Sequence, residues 1–323
     1  MAFSVPRSVI VLTLVFAVWI APIGTARAEP AALTIFHADS LIGYVTDLAR
    51  EFEASHRGVE VRHVGVGSLD AIRRVTDLHL PCDILVTADW RLLDRPLAGV
   101  EPWVMIFAGN SLGLLYTGHS ASAGEIDGDN WYRILTRGGV RYAHSNPERD
   151  PAGYWTLVMW QLAERYYKQP GLARRLEAGC PASNIRPKSV DLIPLLQSGD
   201  LDYFFGYASD ARLAELKLIR LPPEINLGDF ARAAEYASAS VEVGAGSAKR
   251  RIVGAPIAYG ATLTSEPPNR VAAIQFLEMM AGETGRRAAT RSGLIAYPQP
   301  FAVDAQKRMP PELGEVCRPL NSR

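Results

Sequence analysis

Two serines stand where a hydroxyl and free backbone N–H groups can be aimed together at an anion. Ser40 lies in "FHADSLIGY", directly after the strand-like run "ALTIFHA" and before a helical pattern, and Ser68 lies in "GVGSLDAIRRV" at an equivalent joint. The first turn of a helix leaves its N–H groups without intrahelical partners and carries the positive end of the helix dipole. Two such starts side by side make an anion site from neutral donors. Taken singly, each serine is explained by capping its own helix; the parallel pair is what favours a ligand. Gly65 and Gly67 would let that ligand approach the backbone closely.

Two further joints repeat the arrangement. Asp150 precedes Pro151 in "SNPERDPAGYW", which ordinary helix-start chemistry accounts for. Tyr207 ends the run "DYFFGY", with Ser209 a candidate cap of the next helix. Periodicity leaves open whether Tyr207 packs or turns its hydroxyl to a cleft. The odd residue is Asp39, beside Ser40. A carboxylate next to a dianion must coordinate, be protonated or face away.

The elements that position these residues alternate. Strand "ALTIFHA" is followed by a helix with Leu41, Val45, Leu48 and Phe52 on one face, stopping at Gly58; strand "VEVRHVGVG" by a shorter helix with Leu69, Ile72 and Val75; then comes strand "DILVTAD". This is the pattern of an α/β domain on a largely parallel sheet. "VMIFAGNSLGLLYTG" reads as one long strand crossing to a second lobe. That lobe runs through "VRYAHS", "GYWTLVMWQLAERYY", "SVDLIPLLQSG", "DYFFGY", "SDARLAEL" and "KLIRLP", then the strand pair "YASASVEV" and "RRIVGAPIAYGATLT" around "GAGSAK". Helices in "NRVAAIQFLEMMAG" and "ETGRRAATRSG" close the chain. A second crossing near Pro256 divides it into a discontinuous lobe, 29–110 with 256–323, and a lobe spanning 111–255. Two lobes joined by paired crossings can hinge, with the ligand at the carboxyl ends of the strands.

Arg7, the apolar run Val9–Ile20 and "ARA" at Ala26–Ala28 read as a secretory signal peptide over 1–28. The run is short for a membrane span, and no cysteine follows the cleavage site to carry a lipid, so the mature chain is expected free in a periplasm. Lys plus Arg and Asp plus Glu are both 34, which argues against a nucleic-acid footprint or a polybasic membrane patch and for a small partner. Of three cysteines, Cys82 starts an apolar strand and is expected as a buried thiol, while Cys180 and Cys317 sit in polar, proline-containing loops and are the expected disulfide. No CxxC or closely spaced histidine pair suggests zinc. "GNSLG" matches a nucleophile-elbow pattern, but "LLYTG" continues it as strand; "GAGSAK" lacks the ending of a phosphate loop and reads as a hairpin turn. A secreted hydrolase would need His63 or His37 within reach of Ser68 or Ser111, and His63 precedes Ser68 by five residues.

Together "LTIFHADSL", "GVEVRHVGVGSLDAIRRVTDLHLPCDILVTADWRLLD", "NWYRIL", "SNPERDPAGYW", "KSVDLIPLLQSGDLDYFFGYAS" and "LPPEINL" resemble, in matching order over nearly the whole mature chain, the archaeal-type molybdate/tungstate-binding proteins of ABC uptake transporters. The resemblance implies a type II periplasmic-binding-protein fold closing on one tetrahedral oxyanion, with no cofactor. It also implies a monomer that delivers its load to a membrane permease driven by a cytoplasmic ATPase. A ligand-sensing subunit of the same fold, or a different oxyanion, is the alternative. It further implies that Ser40, Ser68 and Tyr207 meet the ligand oxygens. Asp150 matches one of two carboxylates that in some members expand the metal to six-coordination. The second, a glutamate before the tyrosine, is Gly206 here, and the usual "HAGSL" is "HADSL". Three readings of Asp39 follow: it replaces the lost carboxylate from the opposite lobe, it faces solvent or caps its helix and leaves four-coordination, or specificity has moved elsewhere.

Overall fold

The computed structural model describes residues 1–2, 31–244, 246 and 249–320; most of the expected signal peptide lies outside them. The chain opens with β1 (Ala31–Ala38), α1 (Ile42–Ser55), β2 (Val59–Val66), α2 (Ser68–Thr76), β3 (Ile84–Thr87) and β4 (Val104–Gly109). Alternation along β1 explains the layering. Leu33 and Ile35 join the core that holds Val45, Leu48 and Phe52 of α1, whereas Phe36 joins Leu69, Ile72 and Val75 of α2. Each such fully buried side chain contributes roughly 1.5–3 kcal/mol relative to exposure.

Beyond β4 the chain leaves this sheet at Asn110–Ser111 and builds β5 (Leu112–Tyr116), α3 (Trp131–Leu135), β6 (Tyr142–Ala143), α4 (Pro151–Tyr166), α5 (Leu172–Gly179), α6 (Ile193–Gln197), β7 (Tyr203–Tyr207), α7 (Ala208–Leu213), β8 (Lys217–Arg220), α8 (Ala233–Tyr236) and the hairpin β9 (Ser240–Val243) and β10 (Arg250–Val253). It returns through 254–257 to β11 (Ala258–Leu263), α9 (Arg270–Ala281), α10 (Glu283–Arg291), β12 (Ile295–Val303), α11 (Pro311–Val316) and β13 (Arg318–Pro319). The first sheet has the order β13-β12-β4-β11-β3-β1-β2 and the second β6-β7-β5-β8. The second core is aromatic, with Trp131 and Trp160 each edge-on to Phe205 at centroid distances of 5.6 and 5.4 Å.

Both sheets are mixed rather than largely parallel. β1 runs parallel to β2 and β3, but β11 is antiparallel to β3 and β4, and β5 to β7 and β8. The strands that carry the chain out and back must run in opposite directions, which imposes these pairings. A second difference is β12, which holds Pro298 and Pro300 and is not read from the sequence. Its register against β4 shifts between Ala296 and Phe301, so the prolines sit where no ladder N–H is needed.

The expected Cys180–Cys317 bridge is absent: all three cysteines are free and buried. Cys180 ends α5 in the second lobe, close to Tyr142, whereas Cys317 ends α11, which packs on α9 in the first. Burial raises both thiols, to about 12 for Cys180 and about 11 for Cys317, and keeps them inert.

Candidate functional site

Strand register brings the first-lobe joints together. Ala38 pairs with Val66 and His37 with Val86, so β1, β2 and β3 end at one sheet edge. Asp39–Leu41 then form a single 3-10 turn before α1, and Gly67 leads into α2. Neither helix start has a side-chain cap, so both serines are released from the ordinary N-cap role. The Ser68 hydroxyl accepts from the Ala88 N–H at 3.0 Å, tying α2 to the end of β3 and leaving its own hydrogen to donate. Ser40 Oγ lies 3.4 Å from the Tyr259 hydroxyl; Asn110 donates to Tyr259 and to Ser209 Oγ, both at 2.8 Å. This buried chain of polar groups joins the two lobes at the first crossing. Ser209 therefore does not cap α7; Asp210 Oδ2 accepts from the Tyr207 N–H instead, at 3.2 Å.

The second lobe closes on this edge. A Cβ on Gly67 would lie 3.2 Å from the Arg149 carbonyl oxygen, so glycine permits that approach. Asp150 caps α4 through Ala152 N–H (3.2 Å), and its other oxygen accepts from Ser189 N–H (2.8 Å). Both carboxylate oxygens are thus bonded to backbone, as helix-start chemistry alone would have it. Tyr207 is fully buried at the end of β7, 6.1 Å ring to ring from Tyr259, and its hydroxyl has no partner. The hydroxyls of Ser145 and Ser189 are also buried, each facing a carboxyl, that of Asp150 and that of Asp210 respectively. An unsatisfied buried donor is costly in a folded protein; the Tyr207 hydroxyl at the end of β7 is one.

Asp39 is buried, not solvent-facing, and does not cap its helix, which removes those two placements of its carboxyl. Its Oδ2 lies 3.6 Å from Lys188 Nζ across the cleft. Burial and the nearby Asp150 push its carboxyl up to about 7 against the pull of Lys188. Asp210, also buried, is pushed to about 8 by burial and by Asp39 and Asp150. Its position explains Gly206: a Cβ there would lie 2.7 Å from the Phe204 ring and 3.1 Å from Asp210 Oδ2. The carboxyl of Asp210 stands in the space a side chain on 206 would use, and its Oδ1 is unpartnered. Sequence reading misses Asp210 because it resembles an ordinary first-turn acid of α7, and misses Lys188 because it precedes its helix in an unremarkable loop. A cavity of about 240 Å³ opens beside Ser40, between α1, α7 and α10. Among the described residues no group of three or more His, Cys, Asp or Glu is arranged to hold a metal ion.

The histidines are engaged elsewhere. His37 Nδ1 meets the Ala38 carbonyl at 2.8 Å and Nε2 meets His63 Nδ1 at 3.0 Å. Neither forms a hydrogen bond with Ser68 or Ser111, so the pairing that a hydrolase on those serines would need is not present.

Two mixed α/β lobes joined by two crossing segments, with helix starts facing a cleft, define the type II periplasmic-binding-protein class. The chain belongs to the family described as bacterial extracellular solute-binding protein, which it matches over residues 33–295. It is 37% identical over 289 residues to an uncharacterized solute-binding protein of Petrotoga mobilis, covering 88% of this chain and 90% of that one. It is 36% identical over 286 residues to the molybdate/tungstate-binding protein WtpA of Thermococcus kodakarensis, covering 80% of each. Among solved structures, the periplasmic molybdate-binding protein of Azotobacter vinelandii shares the fold with a TM-score of 0.57 at 21% identity, covering 83% of this chain and 100% of that one.

Proposed function

We propose that this protein captures one tetrahedral oxyanion of the molybdate/tungstate class between its lobes and delivers it, as a periplasmic monomer, to an ABC permease driven by a cytoplasmic ATPase. The observation that carries this reading is the buried Tyr207 hydroxyl, which has no partner, at the joint where the buried hydroxyls of Ser145 and Ser189 also lie. Ser40 and Ser68 add their hydroxyls at two uncapped helix starts. A dianion supplies the acceptors these groups lack, and preorganised neutral dipoles suffice to hold it. The likeness to WtpA agrees with that ligand class. No described helix is long and apolar enough to cross a membrane, which suits a carrier that works outside one. The reading contains no catalytic step and no bound cofactor.

The buried carboxyls of Asp39 and Asp210 favour a second reading, an oxyanion that carries a proton of its own, such as hydrogen phosphate, since an ionised carboxyl accepts that proton. Thermal melting with molybdate, tungstate, sulfate and phosphate separates the two. A ligand at about a thousandfold over its dissociation constant adds roughly 4 kcal/mol. Stabilisation by tungstate or molybdate alone supports the first reading, stabilisation by phosphate alone the second, and no shift with any oxyanion sinks both.

A further inference from the structure

Away from the cleft residues, the seam between the lobes holds a cavity of about 440 Å³ walled by arginine. Arg91 and Arg95 come from the segment after β3 in the first lobe, and Arg250 and Arg251 from β10 in the second. The only carboxylate in the lining is Asp89, already engaged by the Tyr154 hydroxyl at 2.8 Å, by the Arg91 N–H at 3.1 Å and by the Arg91 guanidinium at 3.3 Å.

The other three guanidiniums have no acid. Among the described residues Arg95 bonds the Leu92 carbonyl, Arg251 bonds Ser240 Oγ and Arg250 lies 5.8 Å over the Tyr154 ring; none forms an ion pair. Burial and the facing charge of Arg250 lower Arg95 from its ordinary value, as expected of two cations with nothing between them. Trp155, whose buried indole N–H lacks a partner, also lines the cavity. Like charges gathered on two walls of a concavity repel unless an anion lies between them. The volume is within the range of small-molecule sites, roughly 300–1,000 Å³. Three guanidiniums without an acid exceed what one tetrahedral dianion compensates, and the planar fork of arginine matches phosphate oxygens in pairs. A neighbouring groove shares Arg95 and Arg250, but its wall also holds Asp77 and Glu148 and its Arg73 is paired with Asp70 at 3.6 Å, so the seam cavity is the cationic part.

We propose that this arginine-walled seam cavity is a second anion site, taking a small oligophosphate that bridges Arg95 of the first lobe to Arg250 of the second. It is independent of the cleft and of which oxyanion the cleft holds. Because its walls belong to different lobes, an occupant engages both sets of arginines only when the lobes are together.

The test is calorimetric titration with tripolyphosphate, with ³¹P line broadening as a second readout. Wild type is expected to bind one equivalent, with orthophosphate at least about tenfold weaker. Arg95→Gln/Arg250→Gln should weaken tripolyphosphate by at least about tenfold, as loss of two charge-assisted contacts predicts, while the cleft variant Ser68→Ala binds it as wild type does. Should the double variant fail to fold by circular dichroism, Arg251→Gln alone reads the same site and should weaken binding by about threefold or more. Absence of heat and broadening with wild type overturns the proposal. So does undiminished affinity in the folded arginine variants, or an equal loss in Ser68→Ala, which would place the anion in the cleft.

Discussion

Gly206 and Asp210 compete for one space, and that competition can be tested. Gly206→Glu drives a side chain against the Phe204 ring and the Asp210 carboxyl, so it should destabilise by about 1–3 kcal/mol as overpacking does. Adding Asp210→Gly should recover part of that loss, the Phe204 contact remaining, which chemical denaturation of wild type and the two variants would read. Tyr207→Phe removes a hydroxyl with no partner in the free protein. It should leave the melting temperature unchanged or higher while weakening the captured anion by roughly 10–150-fold, the worth of one hydrogen bond to a charged group. The carboxyls set a pH dependence. Asp39 at about 7 and Asp210 at about 8 hold protons in the folded protein that the unfolded chain releases from about 4 upward. Their contribution therefore falls as pH rises through that window, whereas His37, lowered to about 4 by burial, costs stability as pH falls from 6.5 toward 4. The advantage of Asp39→Asn over wild type should grow by about 1–3 kcal/mol between pH 5 and pH 8.5, by thermal melting at both. Capture of a dianion should take up protons near neutrality, visible as buffer-dependent heats. The anomaly at Asp39 was legible from residue types alone. Its resolution was not, because Lys188 and Asp210 reach it only through the fold.

At the scale of elements, Ser68 carries a structural and a binding role at once. Ser68→Ala orphans the Ala88 N–H at the end of β3; the expected cost is about 1–3 kcal/mol of stability, with weaker anion binding, measured by melting and titration together. Where period and punctuation agree, the sequence is readable: α1 and α2 show their apolar faces, and the strand run through Gly109 crosses between sheets as its continuous apolar character suggests. β12 was illegible because Pro298 and Pro300 argue against a strand unless the register slip that accommodates them is known. α5 was missed because only Leu172 and Leu176 of its residues are buried, too few to show a period. The disulfide expectation failed for a related reason. Proline-containing loops look exposed in sequence, yet both cysteines end buried in separate lobes.

Across the whole molecule, three contacts tie the lobes with one polarity. Asp39 faces Lys188 at 3.6 Å, Asp70 accepts from Arg149 at 2.9 Å and Asp89 accepts from Tyr154 at 2.8 Å, the acid in each case on the first lobe. Partly exposed pairs contribute about 0.2–1 kcal/mol each. Lys188→Ala with Arg149→Ala should therefore shift the ligand-free balance toward the open form by about fivefold, seen as a larger radius of gyration in solution scattering, and added salt should move wild type the same way. If contacts of this strength also close the lobes when nothing is bound, a membrane partner that recognised closure alone would spend some of its cycles on vacant carriers. The strength of three small polar contacts would then set the background rate of such unproductive docking, and weakening them would trade retention of the load for fidelity of its delivery.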